Sequence, residues 1–99
     1  MQLVFSALAR DELAEAKHHY NRQQPGLGEQ FQHEARIAAK RILEHPLAWQ
    51  FERAPFRRFL LDRFPYKILY VVEDESILII AVAHQHRQPD YWVDQENRT

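Results

Sequence analysis

The chain of 99 residues contains no cysteine. That excludes disulfides, thiolate zinc centres and cysteine nucleophiles, and it permits a reducing compartment. A long apolar run is also lacking: the longest, Ile77 to Ala83, covers seven residues, against about 20 for a bilayer-spanning helix. The N-terminal stretch MQLVFSALARDELAE turns acidic at once, unlike a secretory leader. A soluble, cytoplasmic protein with no membrane partner is therefore expected. Nor is there a basic excess. The formal charge is −1, whereas a dedicated nucleic-acid binder carries a strong surplus of cations that releases counterions from phosphates. Repeats, low-complexity stretches and linkers are absent as well. A chain of this length buries well over half of its unfolded surface in one core. Residues 1–99 are thus expected to form a single domain, with the tail after about residue 93 loosely held.

The charge is unevenly placed. Residues 53–67, RAPFRRFLLDRFPYK, set Arg53, Arg57, Arg58, Arg63 and Lys67 against Asp62 alone, a local net of +4. Residues 68–99 reverse this to −4, with Arg87 and Arg98 facing six carboxylates. Any site for an anion must therefore be local.

Apolar spacing supplies the architecture. LVF at 3–5 reads as a short strand, and Ser6 as the cap of a helix with Asp11 and Glu12 near its positive end. Ala9, Leu13, Ala16 and Tyr20 recur at helical spacing and form one buried stripe. The segment QQPGLG holds both glycines of the chain and breaks the helix. Leu27, Phe31, Ala35, Ala38 and Ile42 then set a second stripe that ends at His45 and Pro46. Two such helices make an antiparallel hairpin. FRRFLL (56–61), YKILYVV (66–72) and ILIIAVA (77–83), separated by short polar breaks, read as an antiparallel meander. The last strand is apolar on both faces and is expected at the centre of the sheet, with helices on one side and other chain on the other. The expected fold is α+β, in the order β-α-α-β-β-β, with a helical hairpin packed on a small, mainly antiparallel sheet.

The string RFPYKILYVVEDESILIIAVAHQHRQPDYW, preceded by FRRFLL and set in that element order, resembles the RelE/ParE superfamily of bacterial type II toxins. Its most specific part is Phe64-Pro65-Tyr66 leading into Ile68 and Tyr70, then an apolar strand, His84, Arg87 and a Pro-x-Tyr-Trp ending. The resemblance implies a growth-inhibiting toxin neutralised by a cognate antitoxin, which lays an extended or helical segment across the hairpin and sheet, with a hetero-oligomer of the two as one assembly. RelE-like members cut messenger RNA in the ribosome with basic residues and a tyrosine. ParE-like members bind DNA gyrase and need no cleavage site.

Cleavage by a 2′-hydroxyl needs a base, an acid and cations around the phosphorus. Carried over from RelE-like members, the catalytic candidates are Lys67, Arg87, Tyr91 and His86. Lys67 stands where an arginine is expected, which keeps the charge but loses the bidentate fork. Gln85 stands where another arginine is expected, and Arg87 reaches the same face only if the strand runs on that far. These departures, the low charge, the FPY turn and the Arg-x-Pro ending favour the ParE-like reading. The ribonuclease and a diverged, inactive antitoxin-binding protein remain as alternatives.

His84 and His86 are two residues apart and share a face in an extended chain. The spacing suits a strand end bonded to backbone or a neighbouring tyrosine, and an imidazole also suits proton transfer near neutral pH. No third ligand is in evident relation to them, so no metal and no cofactor are expected. Arg57, Arg58, Arg63 and Trp92 are the partner-contact candidates, with an acidic or amphipathic antitoxin segment lying against residues 53–67. Two of these assignments have rivals: the cations could instead protect an exposed sheet edge, and Trp92 with Tyr91 could instead fold back over the sheet. Trp49 is expected to pack beside the second helix, and the Phe64-Pro65-Tyr66 turn to be structural.

Overall fold

A computed structural model describes residues 1–88 and 90–93. The elements are β1 (Gln2–Phe5), α1 (Ala7–Gln23), α2 (Leu27–Glu44), β2 (Phe51–Arg53), β3 (Phe56–Leu60), β4 (Tyr66–Val72) and β5 (Ser76–His84). They form one five-stranded sheet in the order β1-β5-β4-β3-β2. The α+β arrangement with a helical hairpin is as expected, and residues 56–84 hold three successive neighbouring strands. β1 joins β5 in parallel, and the other pairs are antiparallel. The last strand is interior, between β1 and β4, while β4 occupies the middle of the five. The expected loose tail falls on 94–99, outside the described residues.

Ser6 begins α1 as anticipated, its Oγ accepting the Ala9 N–H at 3.0 Å. The two glycines bring the helices together. Gly26 adopts φ +92, where an L side chain is strained. At Gly28 an added Cβ would stand 2.2 Å from the Lys17 carbonyl oxygen, so only glycine permits this crossing of α1 and α2. Asn21 Oδ1 accepts both glycine N–H groups, at 3.1 and 2.8 Å.

Between the hairpin and the sheet, Ala9, Ala16, Phe31, Ala38 and Ile42 pack on Phe59, Ile68, Tyr70, Ile77, Ile79 and Val82. The Phe64-Pro65-Tyr66 turn is structural. Phe64 meets Tyr20 and Phe31 edge to face, with centroids at 4.9 and 5.2 Å. Trp49 packs on Phe59 at 4.8 Å. A second apolar layer covers the far face of the sheet, where Leu69, Val71, Ile80 and Ala81 lie under Trp92.

Two features depart from the sequence reading. β2 is an additional edge strand, pairing Phe51 with Arg57 and Arg53 with Phe56. Three residues are too few to display a period, and Pro55 stands in the turn that follows. The second departure lies in β5. Leu69 pairs with Ala81 while Tyr70 pairs with Ile79, leaving Ile80 as an extra residue in a bulge. The bulge shifts the alternation by one. Odd-numbered Ile77 and Ile79 face the helices before it, and even-numbered Val82 and His84 face them after it.

Candidate functional site

The basic stretch does not form one rim. Consecutive residues of a strand point to opposite faces, so Arg57 and Arg58 separate. Arg57 pairs with Tyr70, on the helical face, and donates to the Trp49 carbonyl at 2.7 Å while lying 4.1 Å over the Phe51 ring. Arg58 pairs with Leu69, on the far face, and reaches Gln50 at 2.9 Å and Glu52 at 3.4 Å. Arg63 runs to α2, bonding Gln30 at 2.8 Å and Glu34 at 3.6 Å. Arg53 pairs with Asp90 at 3.3 Å. Lys67 forms the closest ion pair of the group, 2.7 Å from Glu52, with both side chains largely covered at 15 and 11 % exposure. Each cation of 53–67 is therefore satisfied within the chain. The expectation of a single cationic surface is corrected: all five charges have partners within the chain, Arg58 and Lys67 sharing Glu52, and Arg57 and Arg58 lie on opposite faces.

Glu52 was not singled out in the sequence. It lies on the short β2, and its role appears only once Lys67 and Arg58 are seen to converge on it.

The C-terminal candidates gather elsewhere, at the end of β5. β5 stops at His84, and a turn follows, closed by the Arg87 N–H donating to the His84 carbonyl at 2.9 Å. Arg87 thus arrives by a turn and not by continued strand, which corrects the strand-spacing expectation. Its guanidinium stacks 4.2 Å over the Tyr91 ring. The His84 and His86 rings are 5.3 Å apart, and the His86 N–H donates to His84 Nδ1 at 3.1 Å. The backbone bond foreseen for His84 is this one from His86, and its ring also meets the Tyr66 ring edge to face at 5.4 Å. Trp92 is 1 % exposed and packs on Phe56 at 4.7 Å. It follows the fold-back alternative, so its ring is not accessible as a contact anchor.

Glu12 organises this end of the sheet. From α1 its Oε1 accepts the Val82 N–H at 2.9 Å, and its Oε2 accepts the Tyr91 hydroxyl. Burial raises the Glu12 pKa above its ordinary value, against the lowering effects of Tyr91, Val82 and Arg87. Burial, reinforced by the bond to Glu12, pushes the Tyr91 hydroxyl strongly upward, so it stays a proton donor and does not ionise. In the sequence Glu12 read only as a charge near a helix start; nothing local announces a partner seventy residues away.

An open cleft of about 530 Å³ lies beside this junction, lined among others by Glu12, Glu15, Arg22, Tyr66, His84 and Arg87. Its mixed donors and acceptors suit recognition. The ribonuclease candidates do not converge there: Lys67 is held toward β2, whereas Tyr91 is bound beyond the opposite edge of β5. Among the described residues no three His, Asp or Glu side chains are grouped to hold a metal ion, and no helix is long and apolar enough to cross a membrane.

A helical hairpin packed on one bulged, mixed five-stranded sheet defines the molecule as an α+β protein. The family described as "ParE toxin of type II toxin-antitoxin system, parDE" matches residues 3–89, and the chain belongs to that family. It is a type II toxin of the RelE/ParE superfamily. Among solved structures, one titled "Chromosomal ParDE TA system from P. aeruginosa" shares the fold with a TM-score of 0.76 and 18 % identity, over 85 % of this chain and 95 % of that one. No curated protein sequence matches.

Proposed function

We propose that this toxin arrests growth by binding DNA gyrase stoichiometrically, without cutting RNA, and that a cognate antitoxin neutralises it. The observation that carries this reading is the separation of Lys67 from Tyr91. Lys67 is spent on Glu52, and Tyr91 is tied to Glu12 with its ionisation suppressed. A transition state on phosphorus needs its cations and its acid around one atom, and here they face different edges. Family membership and the likeness to a ParDE structure support the antitoxin partnership. Within this reading Arg57, Arg58 and Arg63 contact the antitoxin through their solvent flanks while keeping their internal bonds.

The test is induced expression with and without the antitoxin gene, followed for growth, message integrity and plasmid supercoiling. Loss of supercoiling with intact message, and inhibition of purified gyrase at near-equimolar toxin, are expected. Tyr91→Phe, which removes the hydroxyl and keeps the ring, should still arrest growth. Cleaved message with normal supercoiling, abolished by that substitution, would establish the ribonuclease instead. Charge reversal at Arg57 and Arg58 should weaken antitoxin binding, and unchanged affinity would remove them from the contact.

A further inference from the structure

β1 stands at one edge of the sheet and β2 at the other. Natural edges are normally blunted by charge, proline or a bulge, because a bare row of N–H and C=O groups recruits another strand. β2 has all three devices: Arg53 on the strand, Pro55 in the turn after it and a register shift between Phe51 and Arg53. β1 has none. Its four residues, Gln2, Leu3, Val4 and Phe5, are uncharged and pair with β5 in unbroken register.

The Gln2 N–H donates to the Glu75 carbonyl at 3.1 Å, and the Ser6 N–H to the Ile79 carbonyl at 2.9 Å. Alternate residues of a strand direct their backbone groups to the same side. The even-numbered residues of β1 therefore bond β5, and Leu3 and Phe5 turn their N–H and C=O groups outward. Among the described residues only Arg10 of α1 reaches this row, its guanidinium donating to the Phe5 carbonyl at 3.1 Å. The strand is also accessible, since the apolar Val4 is 42 % exposed and Gln2 is exposed beside it.

The two ends of β1 differ in charge. Beside its start, Asp74 and Glu75 line an open hollow together with Met1 and Gln2. Beside its end stands Arg10. None of these three charges has an ion-pair partner among the described residues. A strand that is acidic at one end and basic at the other is complementary to an antiparallel copy of itself.

We propose that β1 is a self-association edge, where a second copy of the chain adds its own β1 antiparallel and the two sheets become one. In the register that sets Leu3 opposite Phe5 of the second copy, the two residues exchange N–H···O=C bonds, and the two-fold axis repeats the pair. Val4 then meets its own counterpart on the axis, an apolar contact on the sheet face away from the helices, where its β5 neighbour Leu78 also packs. Gln2 falls opposite Ser6 of the second copy, so Arg10 leaves the Phe5 carbonyl for the other copy's Asp74 and Glu75. The interface is short, and the dimer is accordingly weak and concentration-dependent. It does not rest on the gyrase reading.

The test is sedimentation equilibrium of the full chain over a rising concentration series, with the average mass expected to climb from monomer toward dimer. Val4→Lys brings two ammonium groups together on the axis and should weaken the dimer about tenfold or more. Arg10→Glu alone, and Asp74→Lys with Glu75→Lys, should each weaken it about fivefold. The three charge changes combined restore opposite signs and should return the affinity toward that of the wild type. These three positions are exposed, so they carry the test if Val4→Lys does not fold. Amide hydrogen exchange at Leu3 and Phe5 should slow as the dimer forms. A chain that stays monomeric up to about 1 mM, leaving the edge to a different partner, would overturn the proposal. So would a dimer indifferent to Val4→Lys, a triple variant as weak as its parents, or protection centred away from Leu3 and Phe5.

Discussion

Ser6 and Glu12 show how single side chains join the two halves of the molecule. Ser6 both caps α1 and bonds the bulged Ile80 carbonyl. Ser6→Ala loses both bonds and should cost about 1–3 kcal/mol in urea unfolding. Glu12 binds its proton more tightly in the folded chain than its ordinary value of 4.5 allows in the unfolded one. A raised folded pKa means that its contribution is fully present below the unfolded value and is lost as pH rises through the folded value. The stability of the wild type relative to Glu12→Gln should therefore decline as pH is raised from 4.5 upward. Urea titrations of both proteins across that range check the sign; a difference that is flat or grows with pH contradicts it.

At the scale of elements, the helical hairpin depends on close approach at Gly28, and the far face of the sheet depends on the segment after β5. Gly28→Ala drives a methyl into the Lys17 carbonyl and the Asn21 side chain. Separating the helices to admit it should cost about 1–3 kcal/mol, read as a lower urea midpoint. Trp92 is the largest fully buried side chain, and with it Leu69, Val71, Ile80 and Ala81 are closed from water. Trp92→Ala should cost about 3–5 kcal/mol and expose the amides of β4 and β5 to faster hydrogen exchange. If Trp92 only decorated a contact surface, stability would be unchanged.

The whole molecule carries a net charge of −1, and the cations of its most basic stretch are each engaged internally. Phosphate binding draws on cations free to replace counterions, and the basic stretch already spends its own on partners within the chain. Anisotropy with a random 20-residue RNA at about 0.15 M salt should show no saturation below about 10 µM. Saturable binding there would argue for the ribosome-directed activity.

The element order, both helices, their glycine break and three of the four later strands were readable in the chain, because burial on one face imposes a period of 3.6 or 2 on neighbouring residues. Candidates close in sequence, His84, His86, Arg87 and Tyr91, do come together. β2 was too short to carry a period, and the shift of alternation at Ile80 leaves no trace in an apolar run such as ILIIAVA. The partners of Glu12, Lys67 and Arg58 were equally hidden. A charge in a sequence declares its sign but not its neighbour; that is decided by strand register and by which helix crosses the sheet, contacts between residues far apart along the chain. The sequence by itself determined which residues are apolar enough to be buried, and the tertiary structure alone decided that the basic stretch is spent internally and that Glu12 ties α1 to Val82 and Tyr91.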